Sequence, residues 1–289
     1  MIMVFFYLAI GCFRKERVSR VMNVSVCSID RSENKGVTKP YIATLSESGR
    51  HFSAFIKLKN NPEGDRCLIN ELVSYRLATM LGILMPASGV ATIREDTRDN
   101  TFEVSIENNI GSCFYSTMVA TAFTLNERAI RYIENKDIYE KIILFDHLIY
   151  NSDRNQGNLI MRGKIGEKIL YVIDHTHVFK NQAIWDAYCL ARGMEERDYY
   201  DDTILVNNTI YDYFAKDRTI TRCSLLSVAE EFQRKCTEES IDLVLKDLPK
   251  DWLISNEELK ALKKYILYRA QHLKQMCEMI VKKKGWKND

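Results

Sequence analysis

The sequence is poor in the residues that interrupt a packed chain. Its 289 residues include only four prolines and twelve glycines, and we find neither a low-complexity segment nor an internal repeat. A flexible linker or a solenoid would carry one of these signs. We therefore expect one large or two small packed domains with a well-buried core.

Charge of one sign is scarce as well. The formal net charge is +2, and contents of 46% hydrophobic and 28% charged residues are ordinary for a globular protein. So small a net charge does not favour nucleic acid as a partner. We interpret the lysine run at residues 282–284 as a solvated helix end, where the helix dipole favours cations. No direct nucleic-acid binding is expected.

Closely spaced cysteine pairs are missing. Eight cysteines are scattered along the chain without any C-x-x-C spacing, which argues against a zinc site or a dithiol redox couple. Single cysteines of this kind are typical of buried thiols in a reducing compartment. We therefore predict a cytoplasmic protein.

A hydrophobic run long enough to cross a membrane is also missing at the N-terminus. The apolar residues 1–13 fall short of the roughly 20 that span a bilayer. Positive charge follows this run, whereas a signal peptide carries it before. Three interpretations of residues 1–22 stay open: an extension upstream of a start at Met22, a packed or disordered extension, and a membrane anchor. We treat residues 1–22 as an apolar and basic extension that need not belong to the fold, and we expect no membrane association.

The polar residues suited to catalysis are concentrated in residues 145–158, FDHLIYNSDRNQGN, and in Asp174, which ends a strand-like run. Asp153 and Asn158 are five positions apart, the D-x-x-x-x-N spacing of a kinase catalytic loop. Phosphoryl transfer needs a carboxylate near the acceptor hydroxyl and oxygen ligands for magnesium. Asp146 lies in an apolar stretch, where a buried carboxylate needs partners, and we expect it to brace the loop.

A lysine in the middle of a strand gives the second indication. A strand is predicted for residues 51–58, and the alternation of side chains, continued to residue 59, places Lys57 and Lys59 on the same face. Kinases hold the α and β phosphates with a strand lysine paired to a helix glutamate. Glu71 lies in a helix predicted for residues 65–81. The sequence leaves open whether Lys57 or Lys59 is the phosphate ligand.

The remaining pattern predicts strands and then helices. We expect strands at residues 83–93 and 101–106, one helix at 126–150, and helices from residue 180 onward, the last opened by a capping box at 255–258.

Two motifs carry a family resemblance. The wording N-x-D-R-x-x-G-N at residues 151–158, followed by I-D-H-x-H-x-F at 173–179, resembles the HipA-like kinase family, particularly its shorter, stand-alone members. Phosphatidylinositol kinases are similar more distantly, through D-R-x-x-x-N. The resemblance covers about residues 24–275. It implies an α+β, two-lobed protein-kinase-like fold, with an N-lobe at 23–118 made of a small antiparallel sheet and one helix, and a mainly helical C-lobe at 119–289.

The resemblance also implies an activity and its residues. It implies an ATP- and Mg²⁺-dependent kinase that transfers the γ-phosphate to a protein serine or threonine. Family members of this kind include toxins and kinases that phosphorylate themselves, and a toxin would have an antitoxin-like regulator as its partner. The protein substrate stays unknown. By position, the resemblance implies that Asp153 orients the acceptor hydroxyl and that Asn158 and Asp174 bind magnesium. Lys57 and Glu71 would hold the α and β phosphates. The loop over the phosphates would consist of Gly36, Thr38 and Lys39, and Met118 would lie in the segment that meets adenine.

The chain departs from the family pattern in two ways, and three alternative functions stay open. Thr176 stands where many kinases have glycine, and the chain is shorter than full-length HipA toxins. A lipid kinase would carry a basic loop after Asp174, whereas residues 175–191 offer Lys180 as the one certain cation. A pseudokinase would bind nucleotide without transfer. A metallohydrolase could use the Asp-His-Thr-His run at residues 174–177 together with His147 and Asp146, because His175 and His177, as alternate residues of a strand, would share a face.

Overall fold

The computed structural model describes residues 24–33, 38–163, 168–206 and 209–287. The predictions for residues 1–22 and for Gly36 lie outside these ranges. The strands are β1 (Val24–Ser32), β2 (Tyr41–Glu47), β3 (Arg50–Lys57), β4 (Ser88–Ile93), β5 (Arg98–Asp99), β6 (Gly111–Thr117), β7 (Phe123–Thr124), β8 (Leu159–Arg162) and β9 (Ile169–Val172). The helices are α1 (Arg66–Leu81), α2 (Ile106–Asn109), α3 (Ile138–Leu148), α4 (Ala187–Glu195), α5 (Thr203–Val206), α6 (Ile210–Asp217), α7 (Arg222–Lys235), α8 (Glu238–Leu245), α9 (Asn256–Gln271) and α10 (Leu273–Lys284). The predicted mixed α+β class, with a sheet-rich N-terminal region and a helical C-terminal part, is confirmed.

The sheet-rich region is built on a curved six-stranded sheet in the order β2-β3-β6-β4-β1-β5. Strand β1 also pairs with β2, so five of the strands close on themselves. Register shifts at Val26/Ser28 and Ile29/Arg31 bend β1, as β-bulges do, and this bend lets one strand serve both neighbours. The predicted antiparallel sheet needs a correction, since β1 runs parallel to β4 and β5.

Helix α1 belongs to the larger of two hydrophobic cores. Its apolar residues pack with the C-terminal helices, while the inner faces of β1 to β4 and β6 form a separate core. The helix matches its predicted bounds and ends at Gly82, whose φ of 78° is the left-handed conformation that terminates many helices. Three polar residues of α1 are nevertheless buried: Asn70, Glu71 and Ser74.

Two arginines fix α1 to the C-terminal part at both ends. Arg66 pairs with Glu258, the capping-box residue of α9, and Arg76 donates to the Val244 and Lys246 carbonyl oxygens at 2.9 and 2.6 Å. Carbonyls at the end of α8 lack helical partners, and a guanidinium satisfies them well. The helix therefore has charged contacts to α8 and α9 in addition to its apolar packing.

The turn before α9 docks on β6. Asp251 accepts a hydrogen bond from the Ser112 amide at 2.7 Å, and Trp252 Nε1 donates to the Ser112 carbonyl oxygen at 3.1 Å. Gly111 has a φ of 125°, and a Cβ there would lie 2.5 Å from the Asp251 carboxylate. Glycine is therefore required by both backbone conformation and space.

Several element predictions differ from the structure. Of the strand expected over residues 83–93, only Ser88–Ile93 is extended, as β4. Residues 101–105 form a loop rather than a strand, because the Asp99 carboxylate accepts hydrogen bonds from the Thr101 and Val104 amides at 2.9 Å each, and residue 106 begins α2. The strand β6 beyond this loop was not predicted. The helix expected over residues 126–150 is α-helical only as α3, with a 3-10 turn at Ile130–Tyr132, and the last helix is divided at His272 into α9 and α10.

The segment before α3 makes tertiary hydrogen bonds besides the local ones of its 3-10 turn. The Glu134 amide donates to the Lys168 carbonyl oxygen at 2.9 Å, and the Lys168 amide donates to the Tyr132 carbonyl oxygen at 3.2 Å. These bonds bring the segment beside β9 in place of an additional helical turn. Within the described ranges, no helix is long and apolar enough to cross a membrane.

Candidate active site

A fully buried ion pair supports the loop that follows α3. Asp146 and Arg154 have no exposed side-chain surface, and Arg154 Nη2 lies 2.8 Å from Asp146 Oδ1. The same carboxylate accepts hydrogen bonds from Asn151 Nδ2 at 2.9 Å and from the Tyr211 hydroxyl at 3.1 Å. A buried carboxylate is tolerated only with such partners. Asp146 therefore braces the loop, as its sequence context predicts.

Arg154 holds both ends of the candidate site. Its Nη1 donates to the carbonyl oxygens of Asn158 at 3.1 Å and Ile173 at 3.3 Å. Asn158 is itself a predicted magnesium ligand, and Ile173 directly precedes the other one, Asp174. One guanidinium thus fixes the backbone at both predicted magnesium ligands, a function that its planar fork of donors suits.

His175 completes this buried layer as a neutral ring. Its Nε2 lies 2.9 Å from Arg154 Nη2, and because a guanidinium can only donate, Nε2 must accept. Burial and the charge of Arg154 lower the pKa of His175 well below the ordinary histidine value. The ring therefore stays uncharged beside the guanidinium.

Lys57 forms the centre of a second charged cluster. Its Nζ lies 2.5 Å from Glu71 Oε1, 2.9 Å from Asp174 Oδ1 and 2.7 Å from Thr176 Oγ1. An ammonium group has three donors, so all three are used. The lysine joins the end of β3 to α1 and to the segment after β9.

The two sides of this cluster differ in exposure. The Glu71 side chain is 3% exposed, whereas that of Asp174 is 42% exposed. Burial disfavours the charge of Lys57, but Asp174 and Glu71 outweigh this effect and raise its pKa. Burial of Asp174 is likewise outweighed by the Lys57 charge, which holds the pKa of that carboxyl below its usual range. Lys57 and Asp174 are therefore both charged, and the Asp174 carboxylate is the one of the two that is partly exposed to solvent.

Thr176, where many kinases have glycine, is part of this cluster. Its hydroxyl lies 3.0 Å from both Glu71 Oε1 and Asp174 Oδ1, while its carbonyl oxygen accepts from Asn70 Nδ2 at 2.7 Å. Asn70 in turn accepts from Trp185 Nε1 at 2.8 Å. Asn70 and Glu71, two of the buried polar residues of α1, therefore hold the segment that carries Asp174.

Asp153 and Asn158 lie at opposite ends of the catalytic-loop candidate. The Asp153 side chain is 48% exposed, and its carbonyl oxygen accepts from Asn158 Nδ2 at 2.6 Å. Because the amide nitrogen of Asn158 is used in this way, its side-chain oxygen is the atom left for a cation. Asn158 Oδ1 and the Asp174 carboxylate are hard oxygen donors, which fit magnesium.

The other predicted nucleotide contacts are placed less centrally. Lys59 donates to the Ile110 carbonyl oxygen at 2.7 Å, and the structure brings only Lys57 of the two lysines to Glu71. Thr38 is buried and Lys39 is exposed, with a φ of 45°. The Met118 amide donates to the Ser53 carbonyl oxygen at 3.1 Å, which leaves the carbonyl of Met118 as its group for a base.

The histidines do not form the shared face that a metallohydrolase would need. His175 is buried against Arg154, whereas His177 lies 3.2 Å from Glu63 and 3.4 Å from Asp153. Both follow β9 rather than belonging to it, so strand alternation does not apply. Across the described ranges, no group of three or more His, Cys, Asp or Glu residues could hold a metal ion.

The sequence interpretation missed the residues that position the site. Arg154 enters the sequence interpretation only as a letter of the D-R motif, which does not show its buried pairing with Asp146. Asn70 gave a weak signal, as a polar residue within the apolar pattern of α1. Neither partner could be identified without the fold.

Comparisons with known proteins bear on the fold and on the family. The crystal structure of the Helicobacter pylori proinflammatory kinase CtkA is similar with a TM-score of 0.58 at 11% identity, covering 90% of this chain and 98% of that chain. HipA of Shewanella oneidensis, solved with HipB and operator DNA, has a TM-score of 0.38 at 12% identity, covering 86% of this chain and 65% of that one. No curated protein matches. A family profile described as HipA-like kinase matches residues 26–288, and the chain therefore belongs to the HipA-like kinase family.

Proposed function

We propose that this chain is an ATP- and Mg²⁺-dependent kinase that phosphorylates serine or threonine of a protein. The observation that carries the proposal is the Lys57 cluster, in which a buried glutamate and a half-exposed aspartate hold one lysine. This arrangement suits the α and β phosphates of a nucleotide, which need a fixed positive charge. Family membership supports kinase activity, and the donor, metal and acceptor are our inference.

The remaining roles follow from the exposed groups. Asn158 and Asp174 would hold Mg²⁺, which neutralises phosphate charge when bound. Asp153 would orient the acceptor hydroxyl, since its carboxylate is half-exposed and its backbone is fixed by Asn158. Lys57 would exchange its bond to Asp174 for one to a phosphate oxygen. Thr38 and Lys39 would lie over the phosphates, and Met118 would meet adenine.

A two-lobed arrangement belongs to the same proposal. We place the boundary near Met118, after β6, with the sheet and α1 as the N-lobe and the remainder as the C-lobe. The proposed site residues then come from both sides of the cleft. An antitoxin-like regulator stays a prediction drawn from the family resemblance.

The test is transfer of labelled γ-phosphate from ATP to the chain itself or to proteins of a cell lysate. We expect Mg²⁺-dependent label on phosphoserine or phosphothreonine, and much less with Asp153→Asn. Label on phosphotyrosine or on lipid would contradict the acceptor class. ATP binding without any transfer would instead indicate a pseudokinase.

A further inference from the structure

His177 makes a bridge that the proposed roles do not use. Its Nδ1 lies 3.4 Å from Asp153 Oδ2, and its Nε2 lies 3.2 Å from Glu63 Oε2. The side chains of His177 and Glu63 are each 22% exposed, so the bridge is partly shielded from solvent. It connects the loop between β3 and α1 with the catalytic-loop candidate.

Glu63 and His177 both belong to backbone segments that are held in place by hydrogen bonds. The Glu63 amide donates to Asn61 Oδ1 at 2.9 Å, and Asn61 Nδ2 donates to the carbonyl oxygens of Leu58 and Gly64 at 2.6 and 3.1 Å. Thr176, next to His177 in the chain, is held by Asn70 and Lys57. The backbone beside Glu63 and the backbone beside the imidazole are therefore both held by hydrogen bonds.

We propose that His177 is a positioning residue that orients the Asp153 carboxylate for the acceptor hydroxyl. This inference rests on the proposed kinase function. Because Asp153 Oδ2 faces the ring, we assign Oδ1 as the oxygen directed to the acceptor; Asn155 Nδ2 lies 3.3 Å from it and holds it from the opposite side of the carboxylate. Glu63 acts through His177, since it holds the opposite nitrogen of the ring.

The charge state of the ring agrees with this role. An imidazole donates from both nitrogens only when it is protonated. The hydrogen bond to Asp153 and the bond to Glu63 outweigh partial burial and raise the pKa of His177. Two carboxylates on opposite nitrogens are best satisfied by the charged ring.

Kinetics of matched variants separate orientation from general stability. We expect His177→Ala to lower kcat about tenfold, the low end for loss of a supporting hydrogen-bond partner, with KM for ATP and thermal stability unchanged. His177→Asn keeps a donor near the Nδ1 position and should retain more kcat than His177→Gln, whose amide lies near the Nε2 position. His51→Ala removes an exposed histidine of β3 and should match the parent.

Each result decides the inference. A parental kcat in His177→Ala, or equal losses in the Asn and Gln variants, would overturn it while leaving the kinase proposal intact. A parent that transfers no phosphate would remove the kinase proposal, and the role of His177 in turnover with it.

A measurement that does not depend on activity examines the bridge directly. In an NMR titration of the imidazole resonances, His177 should titrate above free histidine, and Asp153→Asn and Glu63→Gln should each lower that midpoint. An unchanged midpoint in both variants would show that the bridge is absent and would overturn the inference.

Discussion

The buried pair Asp146–Arg154 and the Lys57 cluster are both charged, but they differ in what surrounds them. Asp146 and Arg154 are fully enclosed, with protein partners for each polar group described above. Lys57 instead binds one enclosed carboxylate, Glu71, and one that is 42% exposed, Asp174. A closed ion pair can only support structure, whereas an open one can exchange partners. We infer that the first fixes the loop and the second meets the nucleotide.

Breaking the closed pair should have the largest effect. Asp146→Ala leaves a buried, unpaired guanidinium, and we expect a loss of about 3–5 kcal/mol in the free energy of unfolding. Chemical denaturation measures this loss. Glu230→Ala, which breaks an exposed pair with Lys274, is the control and should leave stability at the parental value. Equal stability of Asp146→Ala and the parent would contradict the brace.

Breaking the open cluster should affect transfer more than folding. Lys57→Met removes the charge proposed to hold the phosphates, and we expect kcat/KM to fall about 10²–10³-fold, as for loss of one preorganised donor. Lys59→Met should keep most activity, because Lys59 binds the Ile110 carbonyl elsewhere. The double variant Lys57→Met with Glu71→Gln removes both charges and controls for folding. The reverse pattern would assign the phosphates to Lys59.

The two exposed aspartates should separate by binding. Asp153→Asn should lower turnover by about 10² while nucleotide affinity stays nearly parental, because its proposed role is to orient the hydroxyl. Asp174→Asn should weaken Mg-ATP binding as well, since an amide gives a hard cation much less charge. Calorimetry and steady-state kinetics measure both. Parental turnover in Asp153→Asn would refute its assignment.

Removal of metal should weaken ATP binding by about tenfold or more, because the Asp174 carboxylate then faces the phosphates uncompensated. Calorimetric titration with Mg²⁺ and with EDTA measures the difference. The Asp174→Asn variant should show a smaller difference in ATP affinity between the two buffers, since it lacks the carboxylate charge that repels the phosphates. Equal affinity in both buffers would exclude Asp174 as a metal ligand.

The smallest expected effect concerns Thr176. Thr176→Val removes a hydroxyl from the cluster but leaves its charges, so we expect about 1 kcal/mol of lost stability, the usual net value of one hydrogen bond. Thr176→Ser keeps the hydroxyl and should match the parent. Denaturation of both variants measures the hydroxyl alone, and a Ser variant as unstable as Val would indicate packing of the methyl group instead.

Local patterns in the sequence predicted the parts of the fold that local forces determine. Helix α1 with its Gly82 stop, the strand that carries Lys57, and the capping box at Ser255 each depend on neighbouring residues. Strand β6 depends on pairing with β3 and β4, which no local pattern displays. The loop at Asp99 shows how one carboxylate can override β propensity.

The candidate site divides in the same way. The spacing of Asp153 and Asn158 could be recognised because a short loop determines their relation. The choice between Lys57 and Lys59 could not, since both share a face and only the end of β3 decides which one meets α1. The partners of Arg154 lie in three segments of the chain, so its role depends on their assembly.

The arginine contacts at both ends of α1 have a consequence for control. Arg66 and Arg76 attach the helix that carries Glu71 to residues 244–258 of the same chain. The C-terminal helices thus act on α1 as an activating subunit would act on a separate kinase chain. We expect the Lys57–Glu71 contact to form without a second protein, because the contacts that hold α1 in place are internal to this chain.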